Sequence, residues 1–325
     1  MKAIRIQRTG GPEVMNLEEL DTPKPGAGEV LIRVMAAGVN YADLAQRKGA
    51  YLTPTRLPLT LGMEVAGVIE AMGPGVTSPA VGTRVAALVG GGYAEYAVAT
   101  AGGVIPIPSG LDFAHAAAFP LQGLTAYQLL KESARLQTGE SVLVHAAAGG
   151  VGTLAVQLAK LMGAGTVIGT ASTEEKLDLA RELGADVGIN YTEDDWVDRV
   201  RAATGGNGVQ IVLEMVGGRI AQQSLQCLTP FDGRMVVFGS ASGEVAQFSG
   251  RDLMNRNIAV LGYWLSPWMS RPAQIAGAMQ ALMGYLDTGK LRIIVGQTYP
   301  LAEAAAAHQA MAARQTTGKV VLVVA

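Results

Sequence analysis

The segment SVLVHAAAGGVG, residues 141–152, is the most informative stretch of the sequence for the fold. Its first five residues are an apolar run typical of a buried strand, and a glycine-rich turn then leads into a second apolar stretch at 151–162. Small residues in such a turn let the backbone approach a pyrophosphate, and the N-terminus of the next helix presents N–H groups to the anion. Ala147, Gly149 and Gly152 match the G-x-G-x-x-G fingerprint with alanine in the first place. The segment therefore predicts a strand–turn–helix unit that binds a dinucleotide.

Strands and helices alternate after this segment. Apolar, β-branched runs predict strands at 141–145, 165–170, 187–190, 209–213, 234–238 and 258–263. Ser172 lies three residues before Glu175, a capping-box spacing that predicts a helix over 174–183, and Thr192 and Asp195 repeat the pattern. Six strands that alternate largely with helices predict an α/β fold of the Rossmann type, with a doubly wound parallel sheet.

The N-terminal third and the tail have different patterns. Short β-branched runs between Gly and Pro turns predict strands at 30–34, 64–70, 84–88, 93–98 and 104–107. The tail predicts a helix at 272–286, a strand at 293–299, a helix at 301–313 and a strand at 319–324. The pattern alone leaves open whether the tail extends the nucleotide domain or returns to the first domain.

Composition excludes several classes of protein. The 325 residues include 25 Lys and Arg against 27 Asp and Glu, a balance that argues against nucleic-acid binding. The single cysteine, Cys227, rules out a disulfide framework, and three scattered histidines argue against a His-rich metal site. Two stretches without charged residues, 113–130 and 141–159, contain Pro, Gly and His, so we interpret them as buried segments rather than membrane spans. No apolar targeting segment opens the chain, and we expect a cytoplasmic enzyme.

The end of the second Rossmann strand predicts which dinucleotide binds. NAD sites place a carboxylate there for the ribose 2′-hydroxyl, whereas this strand ends in Thr170, Ala171 and Ser172. Without a carboxylate a 2′-phosphate is not repelled, and Ser172 can donate a hydrogen bond while Lys176 supplies positive charge. Tyr191, after the third strand, can reach the same adenosine pocket. We therefore expect NADPH rather than NADH, although a helix cap for Ser172 and a solvated position for Lys176 are compatible interpretations.

Together these motifs resemble the medium-chain dehydrogenase/reductase superfamily, and within it the zinc-independent, zeta-crystallin-like NADPH:quinone oxidoreductases. The resemblance covers nearly the whole chain and is carried by the glycine-rich segment and by GVNYAD (38–43), LGMEVAGV (61–68), QGLTAY (122–127) and GKVVL (318–322). It implies hydride transfer from NADPH to a quinone. Two alternatives stay open: NADPH-dependent reduction of an enone or enoyl thioester, and a weakly active NADPH-binding protein of the crystallin type.

The resemblance also shows which metal ligands the chain lacks. Zinc alcohol dehydrogenases of this superfamily carry Cys where Asn40 stands and His where Met63 stands, and many add a structural site of four Cys. Glu64 alone cannot hold zinc. The resemblance thus implies a reaction without zinc, and no metal site is predicted.

A set of site residues follows from the resemblance and the fingerprint. On the catalytic side, Asn40 lies by the nicotinamide and orients it or the acceptor oxygen, Asp43 shapes the same pocket, and Tyr51 lines the substrate cleft or only packs within a loop. The expected cofactor contacts are Asn40, Thr125, Ala148, Gly149, Gly150, Val151, Gly152, Ser172, Lys176, Tyr191, Gly217, Phe238, Ser240 and Arg314. A solvated helix end is an equally open interpretation of Arg314. No side chain stands out as a proton donor, and water can supply the proton.

The resemblance also implies a domain arrangement. A mainly-β, GroES-like catalytic domain takes residues 1–119 and 290–325, and the NADP-binding Rossmann domain, 120–289, is inserted into it with the active cleft between them. The strand at 258–263 would be an exposed apolar sheet edge, and such an edge invites pairing. In the family this edge joins two subunits. We therefore expect a homodimer that acts on a small quinone or enone and binds neither nucleic acid nor membrane.

Overall fold

The computed structural model describes residues Met1–Val324. The chain forms two compact units. The first contains Met1–Leu121 together with the segment from Ile293 onward, and the second contains Gln122–Arg292. The family resemblance implied boundaries at 119/120 and 289/290.

Sixteen strands and eleven helices lie in the described residues. The strands are β1 (Lys2–Ile6), β2 (Met15–Glu19), β3 (Glu29–Val39), β4 (Leu59–Thr60), β5 (Glu64–Met72), β6 (Arg84–Leu88), β7 (Tyr96–Thr100), β8 (Val104–Pro106), β9 (Val142–Val144), β10 (Val167–Ala171), β11 (Val187–Asn190), β12 (Ile211–Glu214), β13 (Arg234–Val237), β14 (Ala259–Gly262), β15 (Val295–Pro300) and β16 (Lys319–Val323). The helices are α1 (Tyr41–Lys48), α2 (Phe113–Ala117), α3 (Pro120–Gln128), α4 (Gly150–Leu161), α5 (Glu174–Glu182), α6 (Trp196–Ala202), α7 (Gly218–Cys227), α8 (Gly250–Met254), α9 (Leu265–Trp268), α10 (Pro272–Asp287) and α11 (Ala304–Ala312).

The first unit is mainly β. Its larger sheet has seven strands, in which β15-β16-β3-β5-β6-β8 follow one another and β7 also pairs with β3. A second sheet joins β2, β1 and β4. The strand β3 is almost entirely buried because it lies between partners, and its side chains form the core of this unit with those of β1, β5 and β16. Burial of this apolar set is the main force that holds the unit together.

The central strand β3 fixes the position of three chain segments. Both β5 and β16 run antiparallel to β3, with Ala37 opposite Val65 and Val39 opposite Val320. The carboxyl end of β3 therefore lies beside the amino ends of β5 and β16. Residues that follow β3 and residues that open its two neighbours meet at one end of the sheet.

The second unit has the predicted Rossmann architecture. Six parallel strands follow the order β11-β10-β9-β12-β13-β14. The order reverses between β9 and β12, and in open α/β sheets ligands bind at this reversal, outside the carboxyl ends of the strands. Within residues 1–324, no helix combines the length and the apolar character that crossing a membrane requires.

Two local predictions were wrong, and the helix α1 was not predicted. This helix is short and follows a strand without an apolar repeat. Thr173, not Ser172, begins α5, since the Thr173 hydroxyl accepts a hydrogen bond from the N–H of Lys176. Thr192 does not cap α6: its hydroxyl donates to the Asn190 side chain at 2.7 Å, and Asp195 occupies the cap position without a side-chain hydrogen bond.

Candidate functional site

The glycine-rich turn joins β9 to α4 in the second unit. Gly149 occupies the cap position of α4 and has no side chain with which to cap the helix. Ala146 turns the chain with a φ of 49°, and its carbonyl accepts a hydrogen bond from Gly149 N at 2.8 Å. A Cβ on Gly152 would collide with the carbonyl oxygen of Ala146 and would lie 2.8 Å from the Cα of Ala147. Only glycine at 152 therefore allows the helix to start this close to the turn, and this is the shape that a pyrophosphate cradle needs.

Five other predicted cofactor residues of this unit lie at the carboxyl edge of the same sheet. Ser172 follows β10 and Tyr191 follows β11, and both are half-buried. Gly217 follows β12, while Phe238 and Ser240 follow β13. Because the strands are parallel, these positions share one edge with the glycine-rich turn, as the sequence implied.

Glu214, the last residue of β12, is a residue that the sequence analysis missed. Its side chain is fully buried, and Oε1 accepts hydrogen bonds from the N–H groups of Val216 at 2.7 Å and Gly217 at 3.0 Å. Burial raises the pKa of Glu214, and Oε2 has no hydrogen-bond partner among residues 1–324. The carboxyl group holds the turn at Gly217, whose φ of 83° favours glycine. An acidic residue that ends an apolar strand is the signal that would have identified it.

His145 lies directly before the glycine-rich turn and is 1% exposed. Its Nδ1 lies 2.8 Å from the Thr170 hydroxyl, and its Nε2 lies 2.8 Å from the Ser224 hydroxyl. Ser224 donates its proton to the Ile220 carbonyl, so Nε2–H of His145 donates to Ser224 and Thr170 donates to Nδ1. Burial lowers the pKa of His145 to about 3. The imidazole is therefore a neutral structural group beneath the turn.

Because His145 is buried in its neutral form, we expect the folded protein to lose stability in acid. The ordinary pKa of a histidine is about 6.5, whereas that of His145 in the folded protein is about 3. Between these two pH values the unfolded chain binds more protons at His145 than the folded protein does. The free energy of unfolding therefore falls as the pH drops below about 6.5. His308, whose pKa burial also lowers to about 3, acts with the same sign, whereas Asp43 acts in the opposite direction because burial raises its pKa to about 7. Replacing His145 with Gln should make the slope between about pH 5 and 6 shallower by about 1.4 kcal/mol per pH unit. Urea unfolding of both proteins across this range measures the slope, and identical slopes would contradict the assignment.

Asn40 and Asp43 begin α1 at the end of β3 in the first unit. Asn40 is 5% exposed and Asp43 is fully buried. The Asp43 carboxylate accepts a hydrogen bond from the Asn40 backbone N–H at 2.8 Å. The Tyr93 hydroxyl donates to the same Asp43 oxygen at 3.0 Å and lies 3.1 Å from His308 Nε2. Burial is the main reason that the pKa of Asp43 rises to about 7, and a buried carboxyl with such a pKa is typical of functional sites.

The Asn40 side chain contacts two residues that had no predicted role. Lys319 Nζ donates to Asn40 Oδ1 at 2.7 Å and to Glu64 Oε1 at 2.5 Å. Asn40 Nδ2 donates to Glu64 Oε1 at 3.0 Å, and Glu64 Oε2 accepts from Leu121 N in the first turn of α3 at 2.9 Å. Lys319 and Glu64 form an ion pair with side chains that are 1% and 0% exposed.

The remaining predicted site residues lie as follows. Tyr51 is half-buried in the segment after α1, and Thr125 is 6% exposed in α3. Lys176 is half-buried in the first turn of α5. Arg314 follows α11, and its side chain is exposed and its φ is 58°. Burial raises the pKa of Tyr41, and the positive charge of Arg314 acts against this rise. Among residues 1–324, no three His, Cys, Asp or Glu side chains are grouped so that they could hold a metal ion.

Comparisons with known proteins agree with this architecture. Residues 26–109 match the family described as alcohol dehydrogenase GroES-like domain, and residues 150–282 match the family described as zinc-binding dehydrogenase. The quinone oxidoreductase of Pseudomonas aeruginosa is 40% identical over 99% of both chains. The 2-haloacrylate reductase of a Burkholderia species is 39% identical over 98% of this chain and 97% of its own.

A solved structure extends the comparison. The quinone oxidoreductase of Thermus thermophilus, whose structures include a complex with NADPH, is 42% identical, with a TM-score of 0.88 over 99% of this chain and 100% of that one. Identity at this level over whole chains establishes kinship as well as fold. The chain belongs to the quinone oxidoreductase family of the medium-chain dehydrogenase/reductase superfamily.

Proposed function

We propose that this protein is an NADPH:quinone oxidoreductase that works without zinc. The observation that carries the proposal is 40% identity over 99% of both chains to a quinone oxidoreductase, in a fold whose glycine-rich turn has the shape of a pyrophosphate cradle. When bound, NADPH supplies the hydride that reduces the acceptor. The protein's own tasks are to bind the dinucleotide, to orient the acceptor and to exclude side reactions.

Residues at the carboxyl edge of the Rossmann sheet are the proposed cofactor site. Gly149, Gly150 and Gly152 would let the backbone approach the pyrophosphate, with the N-terminus of α4 directed at its charge. Gly217, held by Glu214, and Ser240 border the same edge. The other proposed contacts are Asn40, Thr125, Ala148, Val151, Ser172, Lys176, Tyr191, Phe238 and Arg314.

Ser172 and Lys176 support NADPH over NADH. No carboxylate ends β10, where an NAD site would place one for the ribose 2′-hydroxyl. Ser172 does not begin α5, because Thr173 has that role, so the Ser172 hydroxyl is not needed as a helix cap. Lys176 stands in the first turn of that helix and supplies a cation near the same position.

A carboxylate at position 172 should weaken NADPH binding selectively. Ser172→Asp places a negative charge beside the expected 2′-phosphate, and we expect the Kd for NADPH to rise at least about tenfold while the Kd for NADH stays within about threefold. Ser172→Ala is the matched control, since it removes only the hydroxyl and should have a smaller effect on NADPH. Fluorescence titration of each variant with NADPH and with NADH measures the changes in the four Kd values. An equal loss for NADH and NADPH would remove Ser172 from the phosphate site.

Asn40, Asp43 and Tyr51 are the proposed catalytic residues. Asn40 would orient the nicotinamide or the acceptor oxygen. The Asp43 carboxylate holds Asn40 in place by accepting a hydrogen bond from the Asn40 backbone N–H. Zinc is not part of the proposal, because Asn40 and Met63 occupy the positions where zinc relatives carry Cys and His, and neither amide nor thioether is a ligand that zinc sites use.

The 2-haloacrylate reductase among the relatives favours one second candidate. Reduction of an activated carbon–carbon double bond, as in an enone or enoyl thioester, requires the same hydride. A panel of a benzoquinone, an enone and 2-chloroacrylate, each with NADPH, separates the candidates. Turnover of the quinone far above the others supports the proposal. Turnover of the double-bond substrates alone would replace it, and tight NADPH binding with no turnover would indicate a crystallin-like role.

A homodimer in the cytoplasm completes the proposal. The strand β14 pairs only with β13 in the Rossmann sheet, and its Val260 and Leu261 are half-buried. Pairing of two such edges would cover this apolar strand. Sedimentation equilibrium should give twice the mass of the chain, and a monomer at micromolar concentration would contradict the dimer.

A further inference from the structure

We infer that the buried ion pair of Lys319 and Glu64 is the device that positions Asn40 for quinone reduction. The pair acts through Asn40, so the inference rests on the proposed catalytic role of that residue. Lys319 is far from both partners in the sequence, 279 residues from Asn40 and 255 from Glu64, and Glu64 lies 24 residues after Asn40.

The sheet topology brings the three residues together. Asn40 directly follows β3, Glu64 begins β5 and Lys319 begins β16. Because β5 and β16 flank β3 and run antiparallel to it, the three positions meet at one end of the sheet. Glu64 and Lys319 are residues of core strands rather than of loops, and a group held on such elements keeps its geometry well.

The chemistry of the contacts fixes the direction of the Asn40 amide. Lysine can only donate hydrogen bonds and a carboxylate can only accept them. Oδ1 of Asn40 must therefore face Lys319, at 2.7 Å, and Nδ2 must face Glu64, at 3.0 Å. If the amide were turned over, its NH₂ would face an ammonium group and its carbonyl would face a carboxylate. Nδ2 also donates to the Gly38 carbonyl oxygen at 3.4 Å, which favours the same orientation of the amide.

Stability alone does not explain this arrangement. Burying a lysine and a glutamate costs desolvation energy, and apolar side chains of similar volume often stabilise a core equally well. An apolar pair offers no hydrogen bonds and therefore cannot hold the Asn40 amide in one orientation. The ion pair also needs glycine at position 38. A Cβ on Gly38 would lie 2.6 Å from Glu64 Oε1, 2.8 Å from Lys319 Cε and 2.5 Å from the Ala117 carbonyl oxygen.

Two double variants test the inference. Both replace Glu64 with Gln, which keeps an acceptor for Leu121 N and leaves no unpaired charge in the core. Lys319→Gln with Glu64→Gln keeps an N–H donor for the Asn40 carbonyl, whereas Lys319→Met with Glu64→Gln has similar volume and no donor. We expect kcat of the methionine variant to fall about ten- to hundredfold, the loss associated with one hydrogen bond from a charged donor, and that of the glutamine variant to fall no more than about threefold. KM for NADPH and the melting temperature should be similar in the two variants.

A double-mutant cycle with Asn40→Ala shows whether the pair acts through Asn40. If it does, the Lys319→Met, Glu64→Gln changes should lower kcat less than about twofold in the Asn40→Ala background, because residues that act as a unit are not additive. If the methionine variant does not fold, Lys319→Leu with Glu64→Gln, which likewise removes the donor and leaves no unpaired charge, supplies the same cycle. Equal losses of kcat in both backgrounds, or wild-type kcat in the methionine variant, would overturn the inference. Wild-type kcat in Asn40→Ala itself would instead overturn the proposed role of Asn40.

Discussion

Replacing Gly152 with alanine should raise the Kd for NADPH about ten- to hundredfold, because an overpacked site costs about 1–3 kcal/mol and each 1.4 kcal/mol changes an equilibrium tenfold. The new Cβ would collide with the Ala146 carbonyl oxygen and crowd the Ala147 Cα. Both are backbone atoms of the turn, so relief requires α4 to move away from β9. The first-turn N–H groups of α4 would then no longer point at the pyrophosphate. Isothermal titration with NADPH measures the change.

Gly284→Ala is the matched control for this substitution. Gly284 lies in the exposed part of α10, and nothing lies within 4 Å of a Cβ built on it. Alanine there should leave the Kd for NADPH unchanged and stabilise the protein by up to about 1 kcal/mol through helix propensity. If Gly152→Ala binds NADPH as the wild type does while both variants are folded, the glycine-rich turn is not the pyrophosphate site.

Asn40→Ala should lower kcat/KM for a quinone about 100-fold and leave the protein folded. The magnitude is that of one oriented hydrogen-bonding group lost from an active site, about 10²- to 10³-fold. The fold should survive because the hydrogen bond from position 40 to Asp43 uses the backbone N–H, which alanine keeps, and the ion pair of Lys319 and Glu64 stays in contact. We expect a loss of unfolding free energy of about 1–2 kcal/mol from the missing amide contacts.

The control for this variant is Asn207→Ala, an exposed position before β12. It should leave both kcat/KM and stability unchanged. Steady-state rates of NADPH oxidation with a quinone, with circular dichroism for the fold, measure both variants. Unchanged turnover in a folded Asn40→Ala protein would remove this residue from the mechanism.

The Rossmann unit could be predicted from the sequence because its signals are local. Residues 141–152 contain the strand, the turn and the start of the helix within one short segment, and the parallel pairing that follows places Ser172, Tyr191 and Gly217 at one edge. The error at Ser172 is also local. Ser172 and Thr173 are both competent caps, and the backbone of Thr173, with φ −143° and ψ 153°, decides between them.

The contacts of Asn40 could not be predicted from local pattern. Its partners Glu64 and Lys319 lie on other strands and come close only when the seven-stranded sheet forms. A lone lysine at the start of an apolar strand resembles a solvated strand end, and nothing in its neighbourhood indicates complete burial. Glu214 differs, since an acidic residue that ends a buried strand, three residues before the two glycines at 217 and 218, could have been identified as the group that holds the turn.

Turnover by metal-depleted enzyme is the sharpest test of quinone reduction without zinc. The purified protein is treated with a strong chelator, analysed for residual zinc, and mixed with NADPH and a benzoquinone while the loss of NADPH absorbance is followed. We predict full activity, with one NADPH consumed per hydroquinone formed and a marked preference for NADPH over NADH. Absence of quinone reduction, or activity that returns only when zinc is added, would contradict it.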